Sequence, residues 1–287
     1  MHLFLADAEL DQLIREDVPY FDLTTFALGL GDQPGRISFS TRHPTVICGT
    51  EEVGRMLELC GATVRTKIGS GKLLAPGTVL LEAEGPAQAL HRAWKVGVNL
   101  LEYLSGIATR THALVTAARQ VNPAVAVVTT RKLFPGTKPL TIKAVLVGGA
   151  TPHRLGLSET VLVFPQHLAF LDGLAGLIDR LDAVKRTCPE KKICVEVEHL
   201  EDAVRVARAG ADIIQTDKMS PELLAETVQA VRAVQTGIQI AAAGGVNQDN
   251  ILAYAATGID IVVTTAAYFG KPADIGAQMV RIEKRNL

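Results

Sequence analysis

At 287 residues, with a formal net charge of −1 and 48% hydrophobic against 21% charged side chains, the chain has ample apolar material for one large barrel or two domains. Near-neutrality argues against a general nucleic-acid binder, whose surface is usually basic. No run of about 18 apolar residues exists to span a membrane, the opening MHLFLADAELDQLIRED lacks a basic n-region, and Cys48, Cys60, Cys188 and Cys194 form no CxxC pair, so the expectation is a cytoplasmic protein with reduced thiols, no disulfide framework and no zinc site.

Residues 1–20 open with a short helix, in which Leu10, Leu13 and Ile14 recur at helical spacing. Glu16-Asp17 and Asp22-Leu23-Thr24-Thr25 read as a helix end and a turn. Ile37–Ser40, Val46-Ile47-Cys48, Thr63–Lys67 and Val79–Ala83 have strand patterning, Glu51–Cys60 is an amphipathic helix, and Gly69-Ser70-Gly71 and Pro76-Gly77 supply turns. Short strands around one helix predict a small α+β domain with no obvious catalytic cluster. Ala87–Val121 is a long helical stretch in which Asn99, Ser105 and Gly106 read as packing residues, with Gly106 expected to break or kink it.

From Ala124 the rhythm becomes regular. Apolar strands at 124–130, 160–164, 192–198, 211–216, 238–243 and 259–264 alternate with helical patterns near 137–149, 166–186, 200–209, 221–235 and 248–257. Such alternation predicts βαβ units and a parallel sheet. The fold class is therefore α/β: a small N-terminal α+β domain over 1–112, then a closed or incomplete, six- or seven-stranded α/β barrel over 113–270. A doubly wound sheet is the alternative that strand count alone does not separate.

Polar residues follow the strands where a barrel carries its chemistry, at their C-terminal ends. Arg131-Lys132, Glu196 with Glu198, Asp217-Lys218, Gly244-Gly245 and Thr264-Thr265 occupy these places on five strands. Within Val128–His167 stand Arg131, Lys132, Lys138, Lys143, His153 and Arg154, against the single acid Glu159. This density suits phosphate, pyrophosphate or carboxylate; a solvated basic loop is the alternative. Glu196 and Asp217 suit a metal or ribose hydroxyls, or a structural salt bridge with a neighbouring lysine. Gly244-Gly245, before a helix starting near Gln248, lets backbone N–H groups approach a phosphate, or makes a tight turn.

The stretch TTRK–x–x–PG, then IKA, then GGA–x–x–HR, together with VNLLEYLSGIATRTH at 98–112, resembles the quinolinate phosphoribosyltransferase family, in particular a branch associated with molybdenum-transport genes. The resemblance covers nearly the whole chain. It implies transfer of phosphoribose from phosphoribosyl pyrophosphate to an aromatic acceptor, with release of pyrophosphate and Mg²⁺ as cofactor. It assigns Arg131, His153 and Arg154 to the acidic aromatic co-substrate, and Lys132, Glu196 and Asp217 to the donor and its metal. Lys138 and Lys143 would add cations around the pyrophosphate, while Gly244, Gly245, Thr264 and Thr265 would hold the 5′-phosphate. It further implies a homodimer in which Lys95 reaches the partner's site, and a tail, 271–287, that returns to the N-terminal domain.

Departures from the family pattern are concentrated on the acceptor side. Lys95 and Lys138 stand for arginines, Phe164 for a lysine, Pro165-Gln166 for Asp-Asn, Lys218 for Asn, Ala243 for Ser, and Thr264 or Thr265 for Gly. The expected acceptor is a planar aromatic other than quinolinate, with Phe164 as an apolar or stacking wall unless it belongs to the core. Two rivals are a non-catalytic binder of molybdate or a nucleotide, for which strand-end carboxylates serve no purpose, and a phosphate-binding barrel lyase or isomerase, which would not need the TTRK block.

Overall fold

The computed structural model describes residues 5–283; residues 1–4 of the opening segment and 284–287 of the tail lie outside the described residues. In chain order the elements are α1 (Asp7–Asp17), α2 (Leu23–Ala27), β1 (Pro34–Thr41), β2 (Thr45–Val46), α3 (Thr50–Leu59), β3 (Thr63–Lys67), β4 (Leu73–Leu74), β5 (Val79–Pro86) and α4 (Ala87–Val121). They continue with β6 (Ala126–Thr129), α5 (Lys138–Val147), β7 (Thr151–Pro152), β8 (Val161–Val163), α6 (Pro165–Leu168), α7 (Gly173–Thr187), β9 (Ile193–Val197) and α8 (Leu200–Arg208). The last are β10 (Ile213–Asp217), α9 (Pro221–Val234), β11 (Gln239–Ala243), α10 (Ile251–Ala256), β12 (Ile261–Thr264) and β13 (Ile275–Arg281). These form two units: Met1–His112 with Phe134–Gly149 and Tyr268–Leu287, and Ala113–Leu133 with Ala150–Ala267. No helix among the described residues is long and apolar enough to cross a membrane.

The first unit is built on an antiparallel sheet of order β13-β1-β5-β3. Alternation along β1 turns Ile37 and Phe39 inward, both fully buried, while α3 adds Val53, Met56 and Leu57 to the core. The ladder from Gly35↔Arg281 to Thr41↔Ile275 makes residues 275–281 a strand of this sheet. Contrary to expectation, α4 runs unbroken through Gly106. A Cβ there would lie 3.0 Å from the Ala273 nitrogen and 3.1 Å from the Pro272 Cα, so glycine serves close backbone approach and the helix absorbs its poor propensity.

Helix α5 also belongs to this unit, although its periodicity read as part of the barrel rhythm. One side chain accounts for much of that placement. Lys143 is 0% exposed, and its Nζ lies 2.8 Å from Glu51 Oε2 and 2.6 Å from Glu52 Oε2. Glu51 also accepts from the Ser70 N–H and hydroxyl. Burial alone would raise the Glu51 carboxyl, but the Lys143 and Ser70 hydrogen bonds outweigh it and hold it at about 2.

The second unit is a seven-stranded, all-parallel sheet of order β7-β6-β12-β11-β10-β9-β8. Its last strand in sequence, β12, pairs with β6, so the sheet curls round on itself. It stays open between β7 and β8, which share no ladder among the described residues. One direction of winding, without the reversal of a doubly wound sheet, decides between the two α/β alternatives. The strand missing from the periodicity is β7, only two residues long and ending in Pro152. The helical pattern over 166–186 is interrupted after α6, where Asp172 (φ 57°) and Gly173 (φ 75°) take left-handed backbone. The curled sheet encloses Val128, Leu162, Cys194, Ile213, Ala241, Ala243 and Val263, with Ala126, Phe164 and Ile261 packed against them.

Removing one partner of the buried triad should be costly, since the remaining charges keep their desolvation penalty. Lys143→Met is expected to lose about 3–5 kcal/mol in urea unfolding, and Lys143→Met combined with Glu52→Leu to lose less. The Glu51 carboxyl is depressed in the folded state, so its contribution is present above its ordinary 4.5 and lost as pH falls through about 2. Acid unfolding of Glu51→Gln should show a shallower pH dependence across that window, and an unchanged profile would contradict the assignment.

Candidate active site

A strand places alternate residues on opposite faces. In the second unit the inward set is identified by its apolar members: Ala126 and Val128 on β6, Leu162 on β8, Cys194 on β9, Ile213 on β10, Ala241 and Ala243 on β11, Ile261 and Val263 on β12. Two residues further toward the C-terminal ends, the same parity reaches Thr130, Phe164, Glu196, Gln215, Gly245 and Thr265, and a further two along β10 it reaches Asp217. On β7, Thr151 is level with Val128, which puts His153 on the inward parity too. A polar and aromatic mouth thus caps an apolar barrel interior.

Glu196 and Asp217 stand on neighbouring strands on this face. Glu196 is partly buried, and its carboxyl is raised above the usual carboxylate range by desolvation. The Gln215 hydrogen bond and Lys132 work against that rise, and the charges of Asp217 and Glu198 add to it. Its partner is not a lysine: Gln215 Nε2 donates to Glu196 Oε2 at 2.6 Å. Asp217 does pair with a lysine, the exposed neighbour Lys218, at 3.2 Å. Lys218 has left-handed backbone (φ 56°), and a Cβ on Gly244 would fall 2.5 Å from Asp217 Oδ1. Glycine at 244 is therefore required by the position of the aspartate. The described residues contain no cluster of three or more His, Cys, Asp or Glu poised for a metal. What they offer is two hard oxygen donors on neighbouring strands, the donor chemistry that suits Mg²⁺ with water or substrate oxygens completing the shell.

Opposite in charge, Arg131, Lys132, His153 and Arg154 follow the ends of β6 and β7. Lys132 and Arg131 are exposed just beyond β6, and the Lys132 N–H donates to Thr130 Oγ1 at 3.2 Å. Arg154 is buried, with its guanidinium carbon 5.8 Å from the centroid of the Phe164 ring. Burial lowers its pKa, as does Arg131 nearby. Burial and Arg154 together lower the His153 pKa, which favours the uncharged imidazole. Phe164 packs both ways, against the barrel core and under Arg154, so the wall and core readings of this ring coexist. The His167 ring lies near it, with ring planes 18° apart and centroids at 6.0 Å. The Phe164 N–H donates to His167 Nδ1 at 2.9 Å, which leaves Nε2 as the ring's donor.

The remaining expected residues fall in several places. Thr265 keeps the inward parity and meets Thr130, Oγ1 to Oγ1, at 3.4 Å. Thr264 turns outward: its buried hydroxyl donates to the Val246 carbonyl at 2.6 Å and accepts from the Ala266 N–H, so it holds the loop after β11. Gly244 and Gly245 both have left-handed backbone (φ 86° and 84°). The helix after them starts at Ile251, later than expected, because Asn247, Asp249 and Asn250 form a side-chain-bonded turn in between. Lys95 and Lys138 are exposed residues of the first unit. Lys143 of that unit is not on a phosphate-facing rim; it is the buried cation of the Glu51–Glu52 pair. Gln215, Thr130 and His167 were missed by sequence reasoning. For Gln215 a signal existed, a lone amide at inward parity in the strand IIQTD.

Family models match both parts of the chain: "Quinolinate phosphoribosyl transferase, C-terminal domain" over residues 107–278 and "Quinolinate phosphoribosyl transferase, N-terminal domain" over 22–105. A Rhodobacter capsulatus protein named "Putative pyrophosphorylase ModD" is 45% identical over 86% of this chain and 94% of its own length. A Methanothermobacter thermautotrophicus protein named "Probable nicotinate-nucleotide pyrophosphorylase (carboxylating)" is 32% identical over 93% of this chain and 96% of its own. The crystal structure of NadC from Streptococcus pyogenes superposes with a TM-score of 0.87 at 27% identity, covering 96% of this chain and 97% of that one. With matches that span both units and a strand-end site of the kind described, the chain belongs to the quinolinate phosphoribosyltransferase family and is an enzyme of the pentosyltransferase class.

Proposed function

We propose that this enzyme transfers phosphoribose from phosphoribosyl pyrophosphate to a planar aromatic acceptor that is not quinolinate. The observation that carries this reading is the juxtaposition, on one barrel face, of the carboxylates Glu196 and Asp217 with the basic set Arg131, Lys132, His153 and Arg154. In such a transfer the bond between the anomeric carbon and pyrophosphate breaks, the electron pair leaves with pyrophosphate, and a ring atom of the acceptor bonds to the anomeric carbon. Fixed cations stabilise the leaving charge, and carboxylates stabilise the oxocarbenium-like sugar. Lys132 fits the first role. Glu196 and Asp217 would hold Mg²⁺ and ribose hydroxyls; when bound, the ion would offset charge on the pyrophosphate.

Acceptor choice follows from Arg154 and Phe164. Quinolinate has two adjacent carboxylates, and a carboxylate set against the Phe164 ring would lose water without gaining a partner, at a cost of several kcal/mol. A flat ring stacking on Phe164, with one acid reaching Arg131, His153 or Arg154, suits the same surface better. Dimerisation is part of this proposal: by the family pattern Lys95 enters the site of the partner chain.

Three outcomes are expected. Glu196→Gln or Asp217→Asn should abolish Mg²⁺-dependent binding of phosphoribosyl pyrophosphate in calorimetry while circular dichroism stays unchanged; donor affinity equal to native in both variants would remove the metal-side assignment. If native protein binds the donor but releases no pyrophosphate with any member of a broad panel of aromatic acids, the anion-binding alternative is favoured. Kinetics with quinolinate and nicotinate-like monoacids should favour a monoacid in the native protein, and Phe164→Lys should gain on quinolinate; efficient native turnover of quinolinate would refute the acceptor assignment. Finally, mixing inactive Lys95→Ala and Lys132→Ala chains should restore part of the activity once subunits exchange, and no recovery after demonstrated exchange would count against shared sites.

A further inference from the structure

Gln215 has one end of its amide accounted for and the other not. The side chain is 4% exposed and belongs to the inward face of β10. Its Nε2 donates to Glu196, which leaves Oε1 as the other end of the amide, and this buried oxygen has no hydrogen-bond partner among the described residues. A buried carbonyl oxygen without a donor is costly, and native structures normally satisfy such atoms. The inward residues around this level cannot do so. Ala241, level with Gln215 on β11, and Ile213, one inward step below it on β10, carry no polar hydrogen. On the other side Glu196 is the acceptor of the existing bond, and one step beyond the Val163↔Val195 pair lies Phe164.

Phe164, Glu196 and Gln215 therefore share one level of the barrel, a residue pair below Asp217. That level carries the Glu196 carboxylate, which repels a phosphate. It suits the edge of a flat ring whose face lies on Phe164. We propose that Gln215 Oε1 receives a hydrogen bond from the acceptor, so that the acceptor carries an N–H or O–H donor on the ring edge that enters the barrel. Gln215 is then a specificity-determining residue: it selects a donor-bearing aromatic acid over the same ring without the donor. Sites built to hydrogen-bond a substrate group discriminate strongly against analogues lacking it, because the protein atom is otherwise stranded. The inference rests on the phosphoribosyltransferase reading for the word acceptor, and on the stranded oxygen for its chemistry.

The test compares matched ligands. Binding of nicotinate and of its 2-amino, 5-amino and 6-amino derivatives is measured by calorimetry, with native protein and with Gln215→Met, in the presence of Mg²⁺. At least one amino derivative should bind native protein about tenfold tighter than nicotinate, and Gln215→Met should bring that ratio to about one. Any loosening of Glu196 in the variant weakens both members of a pair alike and cancels in the ratio, so a mere positioning role would leave the ratio unmoved and overturn the proposal. Equal binding of all four ligands to native protein would overturn it without any variant, as would binding of none. Phosphoribosyl pyrophosphate binding and pyrophosphate release are measured in parallel. If those fail in native protein, the transferase reading falls, while the paired affinities still decide whether Oε1 takes a donor.

Discussion

Every feature of the proposed site depends on one constraint, the alternation of side chains along parallel strands curled into a barrel. Each strand sends every second residue inward, so the interior is filled in layers. Alanines at 241 and 243, with Val128, Val263, Leu162, Cys194 and Ile213, make the lower layers dry. The residues two steps on cannot avoid facing the same axis, and there the chain changes to Thr130, His153, Glu196, Gln215, Asp217 and Thr265. The apolar floor excludes water from beneath the mouth, and that in turn raises the Glu196 carboxyl and lowers the Arg154 and His153 values.

The same alternation separates residues that are adjacent in sequence. Thr264 and Thr265 look equivalent as a pair of hydroxyls at a strand end. Opposite parity sends Thr264 out to bind the Val246 carbonyl and keeps Thr265 at the mouth. Gly244 and Gly245 likewise differ. The first is demanded by Asp217 and Lys218 packed against it, whereas the second has open space where a side chain would begin. A glycine pair thus serves the placement of a carboxylate as much as any approach of a phosphate.

The first unit uses charge in another way. Lys143 lies in the basic block by sequence, yet its ammonium neutralises two carboxylates at the start of α3. Full burial of three charged side chains is tolerable only with such close pairing. The block that reads as one anion-binding stretch is therefore divided between structural and functional duties.

Much of this was legible in the sequence. Apolar runs alternating with 10–15-residue helical spacers announce a parallel α/β sheet, because strands buried on both faces are apolar throughout, while barrel and doubly wound sheet stayed unseparated. The outer bounds of α4 were legible as well, although not its continuity through Gly106. Strand-end placement of Arg131, Lys132, Glu196 and Asp217 followed from the same rhythm, and the family from the TTRK, IKA and GGA–x–x–HR steps. Only the tertiary structure decided what depends on contacts between residues distant in the chain. Such contacts assign α5 and Lys143 to the first unit, through carboxylates 91 and 92 positions away. They add the two-residue strand β7, too short to have a period, and keep Gly106 in an unbroken helix against residues 271–273. They also place Gln215 beside Glu196, 19 positions apart, with one amide oxygen left over. Periodicity reports which face a residue takes; which partner it meets there is set by register, and register is a property of the folded sheet.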